Sequence, residues 1–450
     1  MKNKFKLMFI SLSLLLPLYA EELTIEKILL SVKDCSDDIS IAQMEYYMGQ
    51  EDVIFYRSEA LPQVTFNTGF SYIARSITAM GFKENLEKLG LDDTHADGAG
   101  LNWALNVRQP VFSFGRVIDA LKMAGVREES LEDQIRLKKD IFYLSVIKGY
   151  SDVYLAQASV EIAQKSINYH KKLLDRIKKD LLTGNGVKRD SLTIQAQVYK
   201  AESDLEMAKS KYKIAIGRLS KLTELSLRPY ESKLIYNKSG WASSIPQDNK
   251  EKKSIEIKLK EYESLLMKYN ADYEKGALFP SVYLISNISN DLLKARDDDV
   301  KNFLNPTPNY VDYFNPEYFN YAIGLQISWN IFDGRRSQAK ARKARLNFEK
   351  VDRELKIARE ENEEQINEAK DAIEVLEKGE KAVLLQLEAL NIAVKQINID
   401  YTVGFVDYTT ILDLEHQLRE AENYLNQIFM QRLFAVAQLK IASGLTLLKE

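Results

Sequence analysis

The chain has 450 residues, with 62 Lys and Arg against 65 Asp and Glu, a formal net charge of −3 at pH 7. That balance leaves no basic footprint for nucleic acid, and a mean hydropathy of −0.30 excludes a bundle of membrane-crossing helices. The sole cysteine, Cys35, excludes an internal disulfide.

Residues 1–20 have the pattern of a secretory signal peptide. Lys2, Lys4 and Lys6 precede an apolar run, Leu7 to Leu16, that is too short to span a bilayer, and Ala20 offers a small residue for cleavage before Glu21-Glu22. The chain is therefore expected to leave the cytoplasm.

The remainder is written twice, about 220 residues apart. Val111-Phe112 is answered by Ile331-Phe332, each closely followed by Gly-Arg (Gly115-Arg116, Gly334-Arg335), and Gly184 is answered by Gly404. The first repeat, 21–225, reads as a helix, strands over 62–74 and 101–112, a long helix over 116–182 and a helix over 188–224. A linker over 226–250 holds Pro229, Gly240 and Pro246. The second repeat, 251–447, reads as a helix, strands over 281–290 and 321–332, a long helix over 336–402 and a helix over 406–442.

The long helices carry a seam of residues spaced alternately 3 and 4 apart. Phe142, Val146, Val153, Val160, Ile167, Leu174, Ile177 and Leu181 fall on it in the first, and Ala369, Ile373, Leu376, Val383, Leu390, Val394, Ile397 and Tyr401 in the second. This is coiled-coil periodicity, with one stutter near Asn362. No proline interrupts the chain between Pro110 and Pro229 or after Pro316, so 116–182 and 336–402 can each run unbroken. At 1.5 Å per residue each would be about 100 Å long. Gly184 and Gly404 then read as turns at the ends of two long hairpins.

The four strand segments alternate with period two. Val64, Phe66, Phe70 and Tyr72 oppose Thr65, Asn67, Gly69 and Ser71, and Ile323, Leu325, Ile327 and Trp329 oppose Gly324, Gln326, Ser328 and Asn330. The segment 281–290 alternates less cleanly. Each is about 10 residues, the length of a tilted transmembrane strand with lipid on one face and water on the other. Four such strands leave two unpaired edges, which lipid does not tolerate. Copies must pool their strands, and three copies would give 12, above the roughly 8 of the smallest membrane barrels. The polar, irregular stretches 75–100 and 291–320 fit exposed surface loops.

Catalytic patterns are missing. His95, His170 and His416 have no metal-ligand spacing, and there is no HExxH, CxxC or phosphate-binding loop. No metal, cofactor or enzymatic activity is expected. His170 falls on the apolar seam and reads as a core residue. The run Glu360-Glu361-Asn-Glu363-Glu364 reads as a solvated helix face.

The duplicated plan, the strand starts Pro62-Gln-Val64 and Pro280-Ser-Val282, the strand ends Pro110-Val-Phe112 and Asn330-Ile-Phe332, and the segment Tyr401-Thr-Val-Gly404 running to Ile411-Leu-Asp413 together resemble the outer-membrane efflux protein family typified by TolC. The resemblance covers about residues 22–447. It implies a mixed α and β fold: a long coiled-coil α-helical barrel plus a 12-stranded transmembrane β-barrel shared by a homotrimer. It further implies a passive channel in the outer membrane of a Gram-negative bacterium, with its helical part in the periplasm. The implied partners are outer-membrane lipid, a periplasmic membrane-fusion adaptor protein and an inner-membrane transporter of the resistance-nodulation-division or ABC type. The cargo class implied first is drugs and toxic small molecules; the alternative is a type I protein secretion channel. A reading of another class is a secreted coiled-coil scaffold without a pore.

The resemblance also assigns residues. Gly184, Asn185, Val403, Gly404 and Phe405 match the tips that contact the adaptor, with Val403-Gly404 keeping the family pattern and Asn185 departing from it. Tyr401 and Asp190 match a tyrosine–aspartate link that closes the periplasmic entrance. Val406 stands where the best-known members have an arginine. Asp413 matches one of two entrance aspartates, Thr410 replaces the other, and Asp407 is a substitute acid nearby. The residues themselves also allow plainer roles: Tyr401 as seam packing, Asp190 as a helix-start acid, and Asp413 as one acid on a charged helix.

Overall fold

A computed structural model of the protein describes residues 21–32, 37–76, 95–183, 187–237, 253–295, 319–403 and 405–448. The signal-peptide segment, Gly184, Asn185, Gly404 and most of the two loop stretches lie outside these residues. The elements in chain order are β1 (Glu21–Leu23), α1 (Ile25–Ser31), α2 (Asp37–Ser58), β2 (Gln63–Ser76), β3 (His95–Phe112), α3 (Arg116–Leu182), α4 (Lys188–Thr223), β4 (Ser232–Leu234), α5 (Ile255–Gly276), β5 (Ser281–Ala295), β6 (Asn320–Ser328), α6 (Arg336–Val403) and α7 (Tyr408–Ala442). They divide into two compact units, and each unit draws on both sequence repeats.

One unit holds Glu132–Lys258 and Ile357–Glu450 with the residues up to Tyr46. Seam residues of α3 are buried against α4: Ile167 against Ala201 and Leu205, and Val146, with its neighbour Ile147, against Ile216 and Leu219. The seam of α6 packs likewise on α7, with Ala369 and Ile373 against Val436 and Leu439, and Leu390 against Leu418 and Ala421. Gly149 lies on the α3 seam because a Cβ there would come 3.2 Å from the Leu219 side chain. The parallel pair β1–β4 is tied to α3 by polar side chains. Gln157 donates to the Leu234 carbonyl and accepts from its N–H, both at 3.1 Å, and the Tyr150 hydroxyl donates to the Ile235 carbonyl at 2.6 Å. Helix α7 closes on Gly444, whose φ of +70° lets the Leu445 N–H reach back to the Lys440 carbonyl at 2.8 Å.

The other unit, Tyr47–Leu131 and Leu259–Lys356, contains a four-stranded antiparallel sheet in the order β2-β3-β5-β6. Its register sorts the side chains by face, because directly opposed residues share a face. The row Phe66, Leu105, Ile288, Tyr321 and the row Val64, Val107, Ser286, Ile323 lie on one side. Thr65, Asn106, Asn287 and Ala322 lie on the other, where the Asn287 amide donates to Asn106 Oδ1 at 2.7 Å. This explains the weak alternation of β5: Ser286 interrupts its apolar side and Ile285 its polar side.

Strand β6 stops at Ser328, short of the Phe332 expected from the pattern. Its partner β5 begins opposite it at Ser281, directly after Pro280, which has no N–H to continue the ladder. The corner into each long helix is a left-handed turn, with φ of +90° at Gly115 and +68° at Gly334. The Gly-Arg pairs of the sequence thus mark the point where strand chemistry gives way to helix.

Candidate functional site

Two features of the chain are suited to a channel: a two-faced sheet that does not close, and a set of helix ends carrying the residues assigned above. Among the described residues, β2 and β6 each have a neighbour on one side only. The apolar face is left bare, with Phe70 75% and Ile323 77% exposed. The opposite face presents amides and hydroxyls, with the Arg108 guanidinium 3.7 Å above the Tyr283 ring. No helix among the described residues is long and apolar enough to cross a membrane, and no cluster of three His, Cys, Asp or Glu among them is placed to hold a metal ion.

The helix ends meet in one apolar cluster. Leu173, Leu174 and Ile177 of α3, Ile194 and Val198 of α4, Ile397 of α6, and Tyr408 and Ile411 of α7 are buried together, with Tyr401, Val406 and Leu412 half-buried against them. This packing fixes where Tyr401, Asp190, Asp407 and Asp413 sit. Asp190 occupies the first turn of α4, where the helix dipole favours an acid and where Val187 provides no side-chain cap. Its carboxylate accepts from Arg189 Nε at 3.2 Å. Asp407 is the N-cap of α7: one oxygen accepts from the Thr410 N–H at 3.1 Å and from the hydroxyls of Thr409 and Thr410 at 2.7 and 3.0 Å. These bonds hold its carboxyl below the usual range. Thr410 is thereby part of the cap. Asp413 is exposed one turn further on and accepts from Gln417 at 2.9 Å.

Tyr401 and Asp190 lie in the same neighbourhood without a hydrogen bond between them among the described residues. Burial, then the nearby Asp180 carboxylate, pushes the Tyr401 phenol up, against the pull of Arg176. Arg176 places its guanidinium carbon 5.3 Å from the centre of the Tyr401 ring. Val403 and Phe405 are exposed at the end of α6, where the Phe405 N–H closes the helix on the Asp400 carbonyl at 2.9 Å. Leu182, at the end of α3, is also exposed, so an apolar surface is offered at both helix ends.

Sequence reasoning missed an ion network on α7. Glu415, 2% exposed, is held by Arg419 at 2.7 and 3.2 Å; Arg419 also reaches Glu422 at 2.8 Å, and Glu422 meets Lys165 of α3 at 3.1 Å. Its one legible trace was the i,i+4 spacing of Glu415 and Arg419. A groove of about 750 Å³ between α3, α4 and α7 has Arg419, Asp413, Lys200 and Asp204 in its walls. His170 lines it half-buried; burial and then the charge of Arg419 push its imidazole pKa down.

The profile of the family described as outer membrane efflux protein matches residues 33–223 and 262–445. The alkaline protease secretion protein AprF of Pseudomonas aeruginosa is 20% identical over 422 residues, spanning 90% of this chain and 80% of its own. Among solved structures, the Campylobacter jejuni outer membrane channel CmeC matches with a TM-score of 0.79 at 13% identity, over 93% of this chain and 85% of that one. CusC, described as forming a transmembrane channel, matches at 0.78 and 17%, over 94% and 92%. The unclosed two-faced sheet and the paired long helices are thus a shared plan, and the chain belongs to the outer membrane efflux protein family, a family of channels rather than enzymes.

Proposed function

We propose that the protein is a passive export channel that assembles as a homotrimer, works with a periplasmic adaptor and an inner-membrane pump, and expels small toxic molecules. The observation that carries the channel reading is the sheet: among the described residues, one face is apolar and bare, the other amide-lined, and both edges are open. Only a closed ring of strands satisfies those edges in lipid. Three chains supply 12 strands, with the polar faces turned to water. The sheet then lies in the outer membrane and the long helices in the periplasm.

The tips at 184–185 and 403–405 take the adaptor contact, supported by the exposure of Leu182, Val403 and Phe405. Tyr401, Asp190, Asp407 and Asp413 belong to the periplasmic entrance. Three copies of each acid in a narrow opening focus negative potential and favour cations.

A second reading, a channel for type I protein secretion, is favoured by the similarity to AprF along 90% of the chain. Conductance of the purified protein in planar bilayers tests the channel itself, and a preparation that inserts but passes no current counts against it. Deleting the gene separates the cargoes. Loss of small-molecule efflux raises the cell's sensitivity to dyes and antibiotics; a cell that keeps its resistance and loses a secreted polypeptide points to the second reading.

A further inference from the structure

Two side-chain contacts join the tip end of α3 to that of α6. The Tyr169 hydroxyl donates to Asn398 Oδ1 at 3.3 Å. Seven residues further along α3, on the same face of that helix, Arg176 lies over the Tyr401 ring. Arg176 is half-buried and has no carboxylate within ion-pair distance among the described residues, so the ring is the partner its charge has. The Tyr401 hydroxyl, by contrast, has no hydrogen bond among the described residues, and Asp190 is taken by Arg189.

We propose that Arg176 is the closing residue of the entrance: its guanidinium, stacked on the face of Tyr401, holds the end of α6 against α3 in each protomer. This rests on Tyr401 being an entrance residue. The contact suits a latch because it breaks without stranding a charge. Cation–ring attraction fades beyond about 6 Å, so a small outward shift of α6 releases it. Asp180, one turn along α3 and half-buried beside Tyr401, then offers Arg176 an i,i+4 carboxylate. The helix pair has two arrangements, with Arg176 on the ring when closed and on Asp180 when open.

Single-channel recording on the full-length trimer tests this. Arg176→Met keeps the side-chain stem and removes the charge; mean conductance should rise several-fold, with Arg176→Lys restoring most of the closure. Tyr401→Ala should open the channel to a similar degree. Tyr401→Phe keeps the ring and should open it far less. Native gels confirming intact trimers separate these effects from lost assembly. An Arg176→Met channel that conducts like the wild type overturns the proposal, as does a Tyr401→Phe channel as open as Tyr401→Ala, which would return the closure to the hydroxyl. If Tyr401→Ala itself leaves a measurable current unchanged, the placement of Tyr401 at the entrance fails. Intact trimers passing no current in any variant would reject the channel reading instead.

Discussion

Asp140 of α3 is 4% exposed; it accepts from the Leu447 N–H, and its other carboxylate oxygen has no hydrogen-bond partner among the described residues. Burial pushes its carboxyl up from 3.8 to about 6, against the attraction of Arg136. Below about pH 3.8 both folded and unfolded chains hold the proton. Between there and about pH 6 the folded chain binds it more tightly, so stability falls as pH rises; above about 6 the loss is constant. Asp140→Asn, which keeps the acceptor, should therefore raise the melting temperature at pH 7.5, by up to about 3 kcal/mol in stability. The advantage should vanish near pH 3.5, and an equal gain at both pH values would contradict the account. Asp407 calls for a different substitution. Asn caps a helix as well as Asp does, so Asp407→Asn should leave thermal stability in place while weakening cation preference, and Asp413→Ala should weaken it too. Unchanged reversal potentials in a salt gradient would remove both from the entrance. The roles of these residues were only partly legible. An acid in a Gly-to-helix corner reads equally as cap or charge, and Asp407 is observed as a cap. Arg176 gave no sequence signal at all, because its partner lies 225 positions away and the two meet only once α3 and α6 are packed side by side.

At the scale of elements, the α6–α7 and α3–α4 seams are apolar, but α7 carries a buried ion pair, Glu415–Arg419, whose outer member Glu422 meets Lys165 of α3 nearer the surface. Removing Glu415 leaves Arg419, whose side chain is 19% exposed, with Glu422 as its remaining carboxylate. Glu415→Ala should cost about 2–4 kcal/mol, read as a lower denaturant midpoint, since a half-compensated buried charge is expensive. Restoring volume without charge by Glu415→Leu combined with Arg419→Leu should recover much of that loss. A single Glu415→Ala that costs less than about 0.5 kcal/mol would show the network to be solvated. The helices themselves were written plainly in the chain. Proline-free length and the 3-4 spacing of residues such as Val146, Ile167, Ile373 and Leu390 identify both the elements and their buried sides. The interior pairing of Glu415 with Arg419 was not, because an i,i+4 ion pair looks the same on a solvated face. The ends of strands were less legible for a related reason: β6 is limited by where β5 begins, a property of its partner and not of its own residues.

At the scale of the molecule, the decisive fact is that, among the described residues, the sheet has an apolar face with nothing to cover it and two edges with nothing to pair. In water this would aggregate; in lipid the edges alone would be prohibitive. Both problems disappear when β6 of one copy meets β2 of the next around a ring. The alternation of Val64, Phe66 and Phe70 against Thr65, Asn67 and Gly69 already stated the two-faced character. The count of four strands stated that one chain is not enough. The same arithmetic opposes the reading as a poreless secreted scaffold, for which bilayer-length strands have no use. The measurement that reaches this claim most directly is the native mass of the protein extracted from outer membranes in mild detergent. Three chains per particle is the predicted result. A particle of one chain, with its sheet closed on itself, would contradict it.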